Sequence, residues 1–284
     1  MTNADYGMQI SEAQFAIRNH TSTMRYLKIL GVFYKAAILT DLEYRANFVT
    51  HLLLSAISVG WSVAGVAIFF LHTDHIGDWS FQEVLIVLGL FQLFIGLVDT
   101  LITPNVQDFT EHLRLGTLDF ILTKPLNSQF HASLRRINIW RFADALLGLG
   151  LVAYAVAQMR TSPTFDKVAM FAVLSVCAAI ILYALVMLLI TSAFWFVQLE
   201  NVMELLFTFY EAGRFPVSIF PAWVRAVLTF VVPIAFITTV PASVLLGRLT
   251  GEFVLFSIGV AAILFTASVL FWRYAVRHYS SASS

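Results

Sequence analysis

The chain has 284 residues and a mass of 31.8 kDa, with 59% hydrophobic side chains, 12% charged side chains and a mean hydropathy of +0.82. A soluble domain carries roughly 45–50% apolar and about 25% charged residues, so this composition excludes a dissolved globule and points to a bilayer. Seventeen Lys and Arg balance seventeen Asp and Glu, which leaves no basic footprint for nucleic acid, and the single Cys177 excludes a disulfide framework or a multi-cysteine metal centre.

A helix needs about 20 apolar residues to cross a hydrocarbon core of roughly 30 Å. Residues 1–46 contain no such run, and no cleavable signal is expected because no h-region lies near Met1. Within them, 24–45 read as a helix whose Leu27, Leu30, Tyr34, Ala37 and Ile38 recur at three- and four-residue spacing, flanked by Arg25, Lys28 and Lys35. Such a helix either lies in the interface with its cations near lipid phosphates or packs as a plain helix on the bundle.

The first span is expected at 48–71. A turn at 72–80 follows, with His72, Asp74, His75 and Asp78. That spacing permits a metal ion, but ordinary turn chemistry accounts for the residues and no metal site is assigned. The second span is expected at 81–102, with Gly89, Gln92 and Gly96 on one face and Asp99 near its end. Small residues on a helix face allow close approach of a neighbour.

A long polar segment, 103–139, separates spans two and three. In it Gly116 and Pro125 bracket an apolar helix of about two turns, in which Leu118, Phe120, Ile121 and Leu122 have no reason to face water. This stretch is either a docking surface or a piece tucked under the bundle. The third span is expected at 140–157, where Arg141 and Asp144 can pair, and the fourth at 167–197, long enough to tilt or bend.

The fifth span is a moderately apolar helix over 199–212 that carries Glu200, Glu204 and Glu211. At 100° per residue Glu204 lies about 40° and Glu211 about 20° from Glu200, so the three acids share a face. Glu211 falls about 16 Å beyond Glu200, near mid-membrane, where an ionisable group faces an interior or a wet route, or pairs with an arginine such as Arg214. Pro216, Pro221, Pro233 and Pro241 then interrupt the apolar stretch 213–247. Broken helices of this kind exist at membrane depth only inside protein or beside a wet cavity. The sixth span is expected at 253–272. Trp61, Trp79, Trp140, Trp195, Trp223 and Trp272 read as anchors near span ends.

Six crossings put both termini on one side. Twelve Lys and Arg fall on that face against five on the other, which marks the terminal face as cytoplasmic. The expected fold is therefore all-α and integral to the membrane: one domain, 1–284, with an interfacial segment 1–46, a cytoplasmic segment 103–139 and a broken outer segment 213–247. No Gly-x-x-x-x-Gly-Lys-Ser/Thr occurs, so ATP binding through a P-loop is not expected on this chain.

The string Gly-Thr-Leu-Asp-Phe-Ile-Leu-Thr-Lys-Pro-Leu-Asn at 116–127 resembles the signature of ABC-2 type permeases, and more narrowly of their bacterial six-span branch. Leu-Glu-Tyr-Arg-Ala-Asn-Phe at 42–48, Arg-Phe-Pro-Val-Ser-Ile-Phe-Pro at 214–221 and the stretch 232–247 resemble the same branch. The resemblance implies a multi-pass protein of the bacterial inner membrane, in which two permeases, identical or not, form the path above two ATPase subunits. ATP and Mg²⁺ would bind on those partners, with no cofactor on this chain. It implies a connecting helix at the interface before span one. It further implies a coupling helix containing Arg114, Gly116, Leu118, Asp119, Phe120, Leu122, Lys124 and Pro125. A re-entrant hairpin containing Phe215, Pro216, Pro221, Pro233 and Pro241 would close the outer mouth. Spans two and five would line the subunit interface, which makes Gln92, Gly96, Glu204 and Glu211 the candidates for the path. The function so implied is export of an amphipathic or polymeric cargo. The alternatives are an ATP-independent carrier, against which no duplicated half is visible, and a lipid-modifying membrane enzyme, for which the acids assemble no constellation.

Overall fold

The computed structural model describes residues 28–35, 38, 45–118, 127–159, 163–195, 199–249 and 251–279. Among the described residues from Arg45 onward, ten α-helices follow one another: α1 Arg45–Phe70, α2 Phe81–Leu101, α3 Thr103–Arg114, α4 Ser128–Leu134, α5 Phe142–Ala157, α6 Phe165–Ser192, α7 Leu199–Glu211, α8 Ala222–Ala226, α9 Thr239–Leu245 and α10 Gly251–His278. Short 3-10 turns and one π-helical stretch, Val227–Val231, join them. Among the described residues there is no strand, only an isolated bridge between Ile76 and Trp79. Among the described residues, five helical stretches are long and apolar enough to cross a bilayer: Val49–Phe70, Phe81–Leu101, Ile139–Ala157, Phe165–Ser192 and Gly251–His278. The fold is that of an all-α integral membrane protein.

The core is built around α2. Its residues from Val84 to Phe91 are all buried, so this half of the helix is enclosed on every side, as a helix apolar all round must be. α1 is the opposite case, with Val49, Leu53, Leu54, Ile57 and Trp61 turned outward. α2 and α5 meet backbone to backbone. A Cβ on Gly96 would collide with the backbone of Asp144 and Ala145, and one on Gly148 would collide with Leu93, Gln92 and Gly89. Only glycine permits that approach.

The two ends of the bundle can be named by their buried tryptophans. The Trp79 indole donates to the Ser218 hydroxyl at 2.9 Å at one end, and the Trp272 indole donates to the Ser128 hydroxyl at 3.0 Å at the other. Both rings are almost wholly buried, and Trp61 lies in the middle of α1 with its ring exposed. The expectation of tryptophans as interfacial anchors therefore fails for these three. A buried partner for the N–H outweighs the headgroup region for Trp79 and Trp272.

The fifth span differs from expectation in construction. α7 has 13 residues, about 20 Å, too short to cross alone. It starts after the Trp272 end of α6, and the chain reaches Ser218, beside Trp79, through the 3-10 turns Ala212–Arg214 and Val217–Ile219. Helix and turns together run from the Trp272 end to the Trp79 end.

The segment after it enters and leaves by one end. Ala222–Val231 and Ile234–Leu245 are bent by 74° at a break. On the entry side Arg225 donates to the carbonyls of Ser218 and Phe220, and Ser218 is held by Trp79. On the exit side Arg248 donates to the Asp78 carbonyl at 2.8 Å and pairs with Glu83 at 2.7 Å, its guanidinium 4.6 Å from the Trp79 ring centroid. The turn before α2 and the first residues of that helix, 76–83, tie both limbs at one end of the bundle. Pro216, Pro221 and Pro233 each stand immediately before a short helix, and Pro241 is in the first turn of α9, the positions where a missing N–H is harmless. Phe215 meets Phe69 of α1 edge-on at 6.3 Å.

Before α1, residues 28–35 are helical. Their deeply buried position is Ile29, outside the expected stripe, and Phe33 packs edge-on against His131 at 6.1 Å. This piece therefore rests on the bundle at the Trp272 end. Leu27 and Ala37 lie outside the described residues.

Candidate functional site

Two regions combine polar chemistry with an unusual position. The first is the middle of the bundle. The Tyr210 hydroxyl donates to the Phe91 carbonyl at 3.1 Å, and its ring stacks on Phe91 with centroids 4.8 Å apart. Phe91 is the eleventh of the 21 residues of α2, so Tyr210 marks mid-depth. One turn on, Arg214 pairs with Glu211 and donates to it at 3.0 Å, while its guanidinium sits 5.0 Å from the Phe91 centroid. The Glu211 and Arg214 side chains remain 53% and 41% exposed. Glu204 and Thr208 are exposed on the same face, and Leu206 and Tyr210 are buried on the other. α7 therefore turns an acidic and hydroxyl stripe away from its own chain, and the pairing with Arg214, one of the two readings of Glu211, occurs without removing Glu211 from the surface.

Gln92 and Gly96 do not join this stripe. The face they share with Gly89 is the one pressed on α5, and Gly96 is filled by backbone. Close packing, not a route, explains the small residues there. Gln92 is half-buried, with its backbone against Gly148.

The second region is the strap between α2 and α5 at the Trp272 end. The Asn105 amide donates to the carbonyls of Leu101 and Arg136 at 2.6 and 2.7 Å, and its carbonyl accepts from Arg136 N–H at 2.7 Å. Asp108, one turn on, is nearly buried and pairs with Arg136 at 2.6 Å, Arg135 at 3.5 Å and His112 at 3.8 Å. Asn138 N–H donates to the Thr100 carbonyl at 2.9 Å. Arg141 lies 3.7 Å from both Asp99 and Asp144, and the Thr103 hydroxyl donates to Asp99. Outgoing and returning chains are thus clasped together beside the end of α2.

α3 stops at a glycine. Gly116 has φ +65°, its N–H donates to the Leu113 carbonyl, and Thr117 N–H donates to the His112 carbonyl. This is a Schellman motif, so Gly116 closes the helix before it instead of opening the next one. Leu118 is fully buried, which removes it from any presented apolar patch, whereas Leu115 is 60% exposed beside the exposed Arg114. Asp119, Phe120, Leu122, Lys124 and Pro125 lie outside the described residues.

Sequence reasoning missed Leu115, Thr208, the Asn105–Asp108 clasp and the knot of Trp79, Glu83 and Arg248. Thr208 had a signal, since it lies four residues after Glu204 and three before Glu211. The clasp and the knot join residues far apart in the chain and had none. Among the described residues no three His, Cys, Asp or Glu side chains gather as metal ligands, and His72 and His75 make only local turn contacts.

In comparison with known proteins, a family described as ABC-2 family transporter protein matches residues 46–283. No curated protein and no solved structure matches.

Proposed function

The chain belongs to the ABC-2 transporter family and is a permease component of an ABC-type transporter, and on that premise we propose that it forms half of a polar path worked by separate ATPase subunits. The observation that carries this reading is the outward stripe of Glu204, Thr208, Glu211 and Arg214 at membrane depth. Charged groups there do not face lipid, so a second permease and a wet route between the two copies are the natural cover.

The ATPases dock at the Trp272 end. Lys28, Lys35, Arg114, Arg135, Arg136, Arg141, Arg273 and Arg277 belong to segments at or leading to that end, and this positive bias supports reading it as the cytoplasmic face of a bacterial inner membrane. The docking element is the turn after α3, with Arg114 and Leu115 presented and Leu118 as its buried anchor. ATP and Mg²⁺ are held by the partners. Closure of the ATPases pushes on this turn, the Asn105–Arg136 clasp passes the push to the end of α2, and α2 moves with α5. Because Tyr210 and Arg214 rest on Phe91, α7 follows, and the polar stripes of the two permeases separate or close. The re-entrant pair with Phe215, Pro216, Pro221, Pro233 and Pro241 serves as the outer gate, and export is the direction.

Native purification from the membrane tests the reading. An ATP-binding-cassette subunit and a second permease, identical or not, are expected with the wild-type chain. Leu115→Asp, at an exposed position that spares the fold, is expected to lower recovery of the ATPase several-fold. Unchanged recovery overturns the docking assignment, and transport by the purified chain without nucleotide or partner overturns the whole reading.

A further inference from the structure

A groove runs along the outside of the bundle at the Trp272 end. Its mouth is a cavity of about 320 Å³ in which Asn127, Ser128, Gln129, Arg273 and Arg277 stand beside the apolar Trp272 and Val276. It continues into a cavity of about 540 Å³ lined mainly by Phe130, Leu134, Tyr183, Phe265 and Val269. Beyond Tyr183 and Phe265, which it shares, a third compartment of about 420 Å³ lies between Leu93 and Leu97 of α2 and Val176 and Ile180 of α6. From Arg277 to Phe265 is twelve residues of α10, about 18 Å, and the third compartment extends the apolar part by about another 10 Å along α6.

The charge pattern fits one occupant. Arg273 and Arg277 are one turn apart on α10, exposed, and in no ion pair with any described residue. Ser128 and Gln129 stand at the same mouth, at the polar end of α4. Above them the lining is almost wholly apolar and opens sideways into the bilayer. Two cations without an ion pair among the described residues, at the mouth of an acyl-length groove, match an anionic phospholipid, phosphate at the arginines and one chain between α2, α6 and α10.

We propose that this groove is a binding site for an anionic phospholipid. The site is independent of the path: it needs only that the chain resides in a membrane, and it holds whether or not α7 lines a route or an ATPase docks at Leu115.

The test uses the full chain as purified, delipidated in detergent, with unfolding followed by heating. Dioleoyl phosphatidylglycerol, dioleoyl phosphatidylcholine and free glycerol phosphate are added in turn, and bound lipid is counted by native mass spectrometry. Phosphatidylglycerol is expected to bind and raise the midpoint; phosphatidylcholine is expected to do so much less, and glycerol phosphate not at all. Each arginine contributes about fivefold, so R273Q with R277Q is expected to weaken phosphatidylglycerol binding roughly 30-fold and abolish the preference. V269W, which fills the groove without touching charge, is expected to block both lipids. Equal binding of the two lipids, or preference unchanged in the double variant, overturns the proposal. So does lipid binding unaffected by V269W, or no lipid-dependent shift at all, as when a second protein chain seals the groove.

Discussion

Glu211→Gln distinguishes a wet stripe on α7 from a lipid-covered one. The carboxylate and its Arg214 partner are 53% and 41% exposed. Where water reaches them the pair holds about 0–1 kcal/mol, and Arg214 keeps solvation and the Phe91 ring after the charge is removed. The variant then loses at most about 1 kcal/mol. Where lipid covers the stripe, Glu211→Gln strands Arg214 at mid-bilayer, and the cost rises to about 2.5–3.5 kcal/mol. The gap between the two cases, about 2 kcal/mol, is resolved by denaturant titration of both proteins in lipid nanodiscs. A second readout is Thr208→Cys in a Cys177→Ser background, challenged with a membrane-impermeant maleimide. The expected result is a small loss of stability, labelling of residue 208, and a fall in cargo-stimulated ATP hydrolysis by the reconstituted complex. A loss of 2.5 kcal/mol or more, together with an unlabelled cysteine, refutes the water-facing stripe.

Asn105→Ala removes three hydrogen bonds between α3, the end of α2 and Arg136. At about 1 kcal/mol each this lowers stability by about 3 kcal/mol, read as a lower denaturation midpoint. Gly96→Ala drives a methyl into the α5 backbone and is expected to cost about 1–3 kcal/mol, whereas Gly150→Ala, whose Cβ meets nothing within 4 Å, is expected to change stability by less than about 1 kcal/mol. Gly116→Ala strains the left-handed cap by about 1–2 kcal/mol. It is expected to speed proteolysis near residue 116 and to weaken recovery of an ATPase, while the unfolding midpoint of the bundle stays put.

Hydropathy located the five long helices, with ends off by as much as five residues at Ser192 and six at His278, because burial of roughly 20 apolar side chains in lipid is a local property of the chain. The prolines of 213–247 likewise foretold short helices, since a missing N–H acts at its own position. What stayed hidden depends on partners distant in sequence. Gly96 reads as a smooth face for any neighbour, and only the position of Gly148 shows that the neighbour is α5 of the same chain. Trp79 and Trp272 look like belt residues until Ser218 and Ser128 appear beside their indole nitrogens. Gly116 was legible as a boundary but not as a helix stop, because the Schellman bonds to Leu113 and His112 require knowing that α3 runs up to it. The helix expected at 199–212 is present as α7, Leu199–Glu211, but the turns that extend it stayed hidden, because 3-10 turns carry no period that a hydropathy pattern can register.

The glycine seam between α2 and α5 has a mechanical corollary. With no side chains between the two backbones there is no cushion to compress and no ridge to slip past, so the pair behaves as a single beam, and its pivots must lie elsewhere along the chain. Spectroscopic probes placed one on each member of the pair are then predicted to keep a constant separation through a transport cycle, while either probe paired with one on α10 reports the stroke.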